Sequence, residues 1–159
     1  MREVESKVFR AGLPTEAVLY VEDETDNFEM TEIRLRRRYL LVRASSDREA
    51  CQRIKESSTH FFAILMDIQL KGSTLDGIQL TRLFRGKLDP KIDLPPYAQG
   101  CPLVKTPILF VTAYGARYFE DELREAGGDA LITKPVDFVK LMVTLATVHS
   151  QKMLRALQS

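Results

Sequence analysis

The residues from Ala63 to Met66 are all apolar, and the acid Asp67 follows them directly. A short continuous apolar run that ends in a turn-rich segment is typical of a strand buried on both faces, as in a parallel sheet. A carboxylate at the end of such a strand is costly unless a charged group meets it there. Because ligands of open α/β sheets bind just beyond the carboxyl ends of the strands, Asp67 is the first candidate for chemistry.

Four further apolar runs predict strands, and segments with helical periodicity separate them. Asn27 is the predicted N-cap of the first helix, and Ser46 or Asp47 that of the second. The alternation of strands and helices predicts an α/β fold, a doubly wound five-stranded parallel sheet with helices on both faces. The predicted strands cover residues 17–21, 39–44, 63–67, 107–111 and 130–133, and the predicted helices about 27–37, 46–56, 77–87, 118–126 and 138–157.

The composition favours one soluble domain, since 28% of the 159 residues are charged and 45% are hydrophobic. With a net charge of +1, neither direct nucleic-acid binding nor membrane insertion is expected, and the arginines of residues 34–38 are interpreted as a solvated helix end. The only cysteines, Cys51 and Cys101, lack a metal-binding spacing. Together with the absence of a signal peptide, they favour a cytoplasmic protein.

The chain divides into an N-terminal extension over residues 1–16 and one domain over residues 17–159. Four prolines and a glycine interrupt residues 87–106, which therefore read as an insertion without one regular element. Such a long loop is either functional or an inert surface segment, and the sequence leaves both open.

Polar residues stand at the carboxyl ends of four predicted strands: Glu22 and Asp23, Asp67, Thr112, and Lys134. The combination predicts a phosphoryl-transfer site that depends on Mg²⁺, because carboxylates supply the hard oxygen ligands that this ion prefers. A carboxylate can attack a phosphoryl group, while an ammonium and a hydroxyl group stabilise the transferring oxygens.

This ordered set resembles the receiver domain of two-component response regulators. The resemblance runs from about Ala17 to the C-terminus, and it implies a flavodoxin-like sheet with the strand order 2-1-3-4-5. The segments that carry it are Val21-Glu22-Asp23-Glu24, Met66-Asp67-Ile68-Gln69, Asp76-Gly77, Val111-Thr112-Ala113 and Ile132-Thr133-Lys134-Pro135.

The resemblance also implies the role of each site residue. Asp67 accepts a phosphoryl group from a sensor histidine kinase, a phosphotransfer protein or a small phosphodonor. Mg²⁺ is bound by Asp23 and Asp67, by Glu22 through water, and by the backbone carbonyl of Gln69. Thr112 is the switch hydroxyl, and Lys134 binds the phosphoryl group. The protein is then a phosphorylation-dependent switch, not an enzyme beyond its own phosphorylation and dephosphorylation.

The sequence departs from the usual receiver pattern at several positions. Leu131 stands where the family has an aromatic switch residue, and the loop after Asp67 is long and lacks the usual proline. Gln69 and Tyr114 occupy the positions that tune hydrolysis in this family, and neither suits a general base, so slow loss of the phosphoryl group is expected. No output domain follows, which indicates a stand-alone receiver or one isolated from a larger protein.

Two other functions fit parts of the sequence. A haloacid-dehalogenase-like phosphatase also uses an aspartyl nucleophile with a Thr and a Lys, but it requires an acid two residues after the nucleophile, where this chain has Gln69. A receiver-like adaptor that works without phosphorylation agrees with Leu131 and with the insertion, although it leaves the acid, Thr and Lys set unexplained.

The last predicted helix carries two apolar faces. One stripe, formed by Phe138, Leu141, Met142, Leu145 and Val148, has the spacing of a helix that packs on the sheet. Val139, Val143 and Ala146 lie on a neighbouring face. Exposed apolar faces mark interfaces, so these residues are predicted to contact a second copy or a downstream output protein. The alternative is a helix buried more deeply than usual, under the insertion.

Overall fold

The computed structural model describes residues 14–57, 60–113 and 120–158 of the chain. Its centre is a five-stranded parallel sheet with the strand order β2-β1-β3-β4-β5. The sheet confirms the predicted flavodoxin-like α/β fold and its strand order. The strands are β1 (Ala17–Val21), β2 (Leu40–Ala44), β3 (Phe61–Met66), β4 (Ile108–Thr112) and β5 (Ala130–Thr133).

Helices cover both faces of the sheet. Side chains of α2, α3 and α4 pack in one apolar cluster with the sheet, and side chains of α1 and α5 pack in a second cluster on the opposite face. Between them, the two clusters bury most of the three central strands, whereas β2 and β5 at the edges are partly exposed. The helices of the described residues are α1 (Thr25–Leu35), α2 (Asp47–Ser57), α3 (Gly77–Phe84), α4 (Glu120–Ala126) and α5 (Phe138–Gln158).

The apolar run of β3 is explained by its central position in the sheet. Ile64 and Met66 point into the cluster under α2, α3 and α4, whereas Ala63 and Leu65 point into the cluster under α1 and α5. All four side chains are fully buried. Successive residues of a strand face opposite sides of the sheet, so a strand covered on both sides needs apolar residues at every position.

Two predicted helix boundaries are wrong. The first helix begins at Thr25 with Glu24 at its N-cap, so Asn27 lies within the first turn and its side-chain amide donates to Glu24 at 3.2 Å. The third helix ends at Phe84 instead of continuing to Lys87, because Gly86 adopts a left-handed conformation with φ of 72°.

The N-cap of α2 is Ser46, one of the two predicted candidates. Its hydroxyl oxygen accepts a hydrogen bond from the Glu49 N–H at 3.2 Å. Asp47, the other candidate, is the first residue of the helix and has a different set of partners.

Asp47 is a buried carboxylate that joins three segments of the chain. Its Oδ2 accepts hydrogen bonds from the N–H groups of Thr74 and Leu75 at 3.2 and 3.0 Å, and from the hydroxyl group of Tyr97. Its own N–H donates to Ser73 Oγ at 3.0 Å. Residues 73–75 belong to the loop after β3 and Tyr97 belongs to the insertion, so Asp47 holds both against the start of α2.

The insertion over residues 87–106 packs on the domain at both of its halves. Its short 3₁₀ turn, Pro96–Ala98, lies beside α2, where the Lys55 ammonium group donates to the Tyr97 carbonyl at 2.7 Å. Further along, Val104 is buried, and its N–H donates to the Phe84 carbonyl at 2.8 Å. The Arg85 guanidinium donates to the Val104 carbonyl at 2.5 Å. This segment, which the sequence predicts to be an insertion, therefore packs against α2 and against the end of α3.

The last helix has the two faces that the sequence predicts. Leu141, Leu145 and Val148 are buried against the sheet. Val139 and Val143 are 75% and 60% exposed, and Ala146 is exposed. The alternative of a helix buried under the insertion is therefore wrong. Among the described residues, none of the helices combines the length and the hydrophobicity that a membrane span requires.

The hydrogen bond between Tyr97 and Asp47 yields a prediction about stability. Tyr97→Phe leaves a buried carboxylate oxygen with one donor fewer, so we expect the free energy of unfolding to fall by about 1 kcal/mol. Urea denaturation measures the loss. In an Asp47→Ala background the same substitution should cost almost nothing, and an equal cost in both backgrounds would show that the hydroxyl group does not act through Asp47.

Candidate functional site: an acidic cleft at the carboxyl edge of the sheet

Parallel pairing brings the predicted acids together. β1 and β3 are neighbours, and their register pairs Val21 with Met66. The residues that follow each strand, Glu22 and Asp67, therefore lie side by side at the carboxyl edge of the sheet. The Asp67 N–H donates to the Val21 carbonyl at 3.1 Å, which continues the ladder to the acid itself.

Lys134 reaches this pair of acids from the end of β5. Its ammonium nitrogen lies 2.8 Å from Glu22 Oε2 and 3.1 Å from Asp67 Oδ2. Glu22 is fully buried, and Asp67 is 6% exposed. Buried charges are costly without a partner of opposite charge. This one ammonium group therefore offsets part of the cost of burying both carboxylates.

The surroundings shift the pKa of two of these groups. Burial and then the negative charge of Glu22 raise the pKa of Asp67 from 3.8 to about 6, although the Lys134 charge opposes them. Burial disfavours the charged form of Lys134, but the hydrogen bond to Glu22 and the charges of both acids outweigh it and raise the pKa of Lys134. Lys134 is therefore a cation at neutral pH.

Asp23 completes a group of three carboxylates with Glu22 and Asp67. One oxygen from each of the three lies within 4.8 Å of the others. Asp23 Oδ2 also accepts a hydrogen bond from the Lys71 N–H at 3.1 Å, which ties it to the loop after β3. The three acids outnumber the single ammonium group of Lys134, so the centre of the site is anionic.

Asp23 and Asp67 open onto a cleft of about 200 Å³. The cleft reaches both the loop after β1 and the loop after β3, and it includes Gln69, the residue whose carbonyl oxygen is a predicted metal ligand. Its lining residues are Asp23, Glu24, Asn27, Asp67, Gln69, Lys71, Ala113 and Lys134.

Thr112 ends β4 beside the cleft. Its side chain is fully buried, and its carbonyl oxygen accepts a hydrogen bond from the Lys134 N–H at 3.0 Å. The next residue, Ala113, lines the cleft. The ends of β4 and β5 are thus held together. Thr112, which carries the predicted switch hydroxyl group, directly precedes a residue of the cleft wall.

The Asp76-Gly77 pair keeps the loop after β3 close to the site. The Asp76 side chain accepts from the Gln79 N–H at 2.8 Å, and the Gln79 side chain accepts from the Asp76 N–H at 3.0 Å, which forms a capping box at the start of α3. A Cβ atom on Gly77 would lie 1.9 Å from the Asp67 carbonyl oxygen. Only glycine permits this approach.

Arg43 is a site residue that the sequence did not reveal. From β2, its guanidinium group donates to the carbonyl oxygens of Glu22 and Asp23 at 3.1 and 3.0 Å, and to Thr25 Oγ1 at 3.0 Å. These bonds fix the backbone that carries two of the three acids. In the sequence, Arg43 only interrupts an apolar strand, and nothing in that pattern indicates its partners.

The structure describes only one of two residues, Leu131 and Tyr114, at which the sequence departs from the usual switch and hydrolysis residues. Leu131 is partly buried and packs against the apolar cluster on the α2, α3 and α4 side. Tyr114 lies outside the described residues, so its expected effect on hydrolysis stays a prediction.

Comparison with known proteins identifies the family of the chain. The family described as the response regulator receiver domain matches residues 18–146, which is most of the chain. The chain therefore belongs to the receiver domains of response regulators in two-component systems. A search of curated proteins found no match.

Solved structures show the same fold. A candidate response regulator from Chloroflexus aurantiacus J-10-fl is 28% identical to this chain in sequence and superposes with a TM-score of 0.65. The match covers 86% of this chain and 98% of the Chloroflexus chain. The receiver domain of Francisella response regulator 1452 is 18% identical with a TM-score of 0.67 and the same coverage. A receiver domain from a Pseudomonas aeruginosa PAO1 sensor histidine kinase, with magnesium coordinated in its active-site cleft, is 24% identical with a TM-score of 0.64, covering 85% of this chain and 98% of its own.

The short distance between Gly77 and Asp67 predicts a strong effect of one methyl group. Gly77→Ala should lower the free energy of unfolding by about 2 kcal/mol or more, because backbone atoms of the loop after β3 must move. Gly72→Ala is the matched control in the same loop, since its φ of 78° is strained for alanine but a Cβ there meets nothing within 4 Å. The control should cost about 1 kcal/mol. Equal losses in the two variants would contradict the contact.

The raised pKa of Asp67 predicts that Asp67→Asn stabilises the protein in the absence of divalent metal. Above pH 6, Asp67 is ionised in both folded and unfolded states. The variant should then gain on the order of 1 kcal/mol, because it removes a negative charge that is buried and that Glu22 repels. Below pH 4, Asp67 is protonated in both states, so the gain should vanish. The wild type thus loses this stability as the pH rises from about 4 to about 6.

Chemical denaturation across this pH range, with a chelator present, measures the difference. A variant that is less stable than the wild type at neutral pH would contradict the repulsion between these acids.

Proposed function

We propose that this protein is a phosphorylation-dependent signalling switch that accepts a phosphoryl group on Asp67. The observation that carries the proposal is the pairing of Asp67 with a protonated Lys134 beside two further acids, at the mouth of a cleft. The donor is a sensor histidine kinase or a phosphotransfer protein, and the compartment is the cytoplasm. The switch comprises residues 17–159, with residues 1–16 as an extension and residues 87–106 as an insertion.

The reaction is a direct transfer to the carboxylate. An oxygen of Asp67 forms a bond to phosphorus, while the bond from phosphorus to the donor, an imidazole nitrogen or an acyl oxygen, breaks. The leaving group keeps the electron pair. Lys134 donates hydrogen bonds to the phosphoryl oxygens from the position where it now donates to Asp67, and the Thr112 hydroxyl group binds one of those oxygens.

The donor set suits Mg²⁺. Three carboxylate oxygens within 4.8 Å of one another are hard ligands, and one ammonium group leaves part of their charge unbalanced. Asp23 and Asp67 would bind the ion directly, Glu22 through water, and Gln69 through its carbonyl oxygen. When bound, Mg²⁺ supplies the positive charge that reduces repulsion between these acids and the incoming phosphoryl group. The protein is then not an enzyme beyond its own phosphorylation and dephosphorylation.

The proposed output surface is the exposed face of α5. Along this face, each residue follows the previous one by four or three positions in alternation. This spacing is typical of a helix that pairs with another helix. Val139 and Val143 at one end and Met153 and Leu157 at the other are 55–80% exposed. The seam fits a second copy of the chain or a helix of a downstream output protein. Its residues are Val139, Val143, Ala146, Ser150, Met153 and Leu157.

Phosphorylation of Asp67 is the direct test of this function. With Mg²⁺ and acetyl phosphate, the intact mass of the protein should rise by one phosphoryl group, and Asp67→Asn should abolish the rise. Asp76→Asn is the matched control, since an asparagine keeps the helix cap and the site is untouched. Lys134→Ala should slow the reaction by about tenfold or more, because the charge on the transferring oxygens loses its partner.

Other results would contradict the switch. A mass increase that persists in Asp67→Asn would show that another residue accepts the phosphoryl group. Release of phosphate from many substrates would indicate the phosphatase, and unmodified protein in all variants would indicate the adaptor.

The seam on α5 gives a second prediction. The double variant Val139→Glu with Val143→Glu should still be phosphorylated on Asp67, but its self-association or partner binding should weaken by about tenfold, which corresponds to about 1.4 kcal/mol. Sedimentation and binding assays measure it. Thr147→Glu with Gln151→Glu is the control, as it adds two charges to α5 outside the seam. Equal effects of both double variants, or misfolding of the first alone, would contradict the interface.

A further inference from the structure

The only two cysteines of the chain meet in the fold, although one lies in α2 and the other in the insertion. The side chains of Cys51 and Cys101 are within hydrogen-bonding reach of one another. Cys51 is fully buried in the apolar cluster under α2, and the half-buried Cys101 packs against that cluster from outside. Both are free thiols.

Contacts on either side of Cys51 hold the two thiols in place. Asp47 and Lys55 lie one helical turn before and after it on the same face of α2. The first accepts a hydrogen bond from the Tyr97 hydroxyl group, and the second donates to the Tyr97 carbonyl oxygen at 2.7 Å. Tyr97 is thereby held against α2 at two points. Cys101 follows Tyr97 by four residues in the insertion, and this attachment places it beside Cys51.

The two thiols differ in access and in acidity. Cys101 reaches the surface, whereas Cys51 does not. The hydrogen bond from the Cys51 thiol lowers the pKa of Cys101, and the charge of Lys55 adds to this effect while burial opposes it. The same hydrogen bond, together with burial, raises the pKa of Cys51. Cys101 is therefore the thiol that reacts first with a polar oxidant, because the thiolate is the nucleophile.

We propose that Cys51 and Cys101 form a reversible oxidation site that peroxide converts into an intramolecular disulfide. The Cys101 thiolate attacks one oxygen of hydrogen peroxide, the O–O bond breaks, and hydroxide leaves to give a sulfenic acid. The sulfur of Cys51 then bonds to the sulfur of Cys101, the S–O bond breaks, and water leaves with the Cys51 proton. Two thiols are oxidised by two electrons, and one peroxide is reduced to two waters. A dithiol reductant restores both thiols.

The consequence of oxidation is a covalent bond between the insertion and α2. The insertion already lies on α2 through Tyr97, so the bond preserves the present packing and removes freedom mainly from the unfolded chain. Oxidised protein should therefore melt several degrees higher than reduced protein. Disulfide formation is independent of the proposed phosphorylation, and we expect the oxidised protein still to be phosphorylated on Asp67.

The test uses the full chain, reduced and then treated with stoichiometric hydrogen peroxide at low protein concentration. Intact mass should fall by two hydrogens, and digestion without reductant should yield one peptide pair linked through Cys51 and Cys101. Dithiothreitol should reverse both the mass change and the rise in melting temperature. Cys51→Ala should instead accumulate a sulfenic acid on Cys101 that dimedone traps, several-fold above the wild type, and Cys101→Ser should form neither product.

Three results would overturn the proposal. The first is a wild-type protein that accumulates dimedone adduct on Cys101 as strongly as Cys51→Ala does. The second is a disulfide that forms only between copies of the chain. The third is an oxidised monomer with a lower melting temperature than the reduced one. If Cys51→Ala fails to fold, the linked peptide and the melting temperature of the wild type still decide the matter.

Discussion

The Lys134 ammonium group lies 2.8 Å from Glu22 and 3.1 Å from Asp67, and most of the site depends on these two contacts. Both carboxylates are buried at the end of neighbouring strands, where an unpaired charge would be costly. One cation holds two anions there, which leaves the centre anionic. Burial, together with the negative charge of Glu22, raises the pKa of Asp67 to about 6. A site with this charge balance is suited to a divalent cation, which brings the missing positive charge.

The backbone around the acids is fixed by contacts that do not involve their carboxylate groups. Arg43 binds the carbonyl oxygens of Glu22 and Asp23, and Gly77 allows α3 to begin directly against the Asp67 carbonyl. Further away, Asp47 binds the loop after β3 together with Tyr97 of the insertion. The insertion therefore belongs to the same hydrogen-bond network as the loop that follows Asp67, although it lies on one side of the sheet.

The fold and the site acids were predictable because both follow from local patterns. β3 is apolar at every position since both its faces are covered, and parallel strands bring their carboxyl ends to one edge, which places Glu22 near Asp67. Arg43 was not predictable, because its partners are backbone carbonyl oxygens on another strand. The contact between Cys51 and Cys101 depends on the path of an insertion whose prolines only exclude regular structure. The end of α3 was missed because the φ of Gly86 is not visible in the helical periodicity that precedes it.

The most direct test of this account is a titration of the Asp67 carboxyl carbon by NMR in metal-free protein. We expect a pKa of about 6. Glu22→Gln should lower it, because the variant removes a negative charge that opposes ionisation of Asp67. Addition of Mg²⁺ should lower it as well. A wild-type pKa near the ordinary value of an aspartate, unchanged in Glu22→Gln, would show that these acids do not share one site.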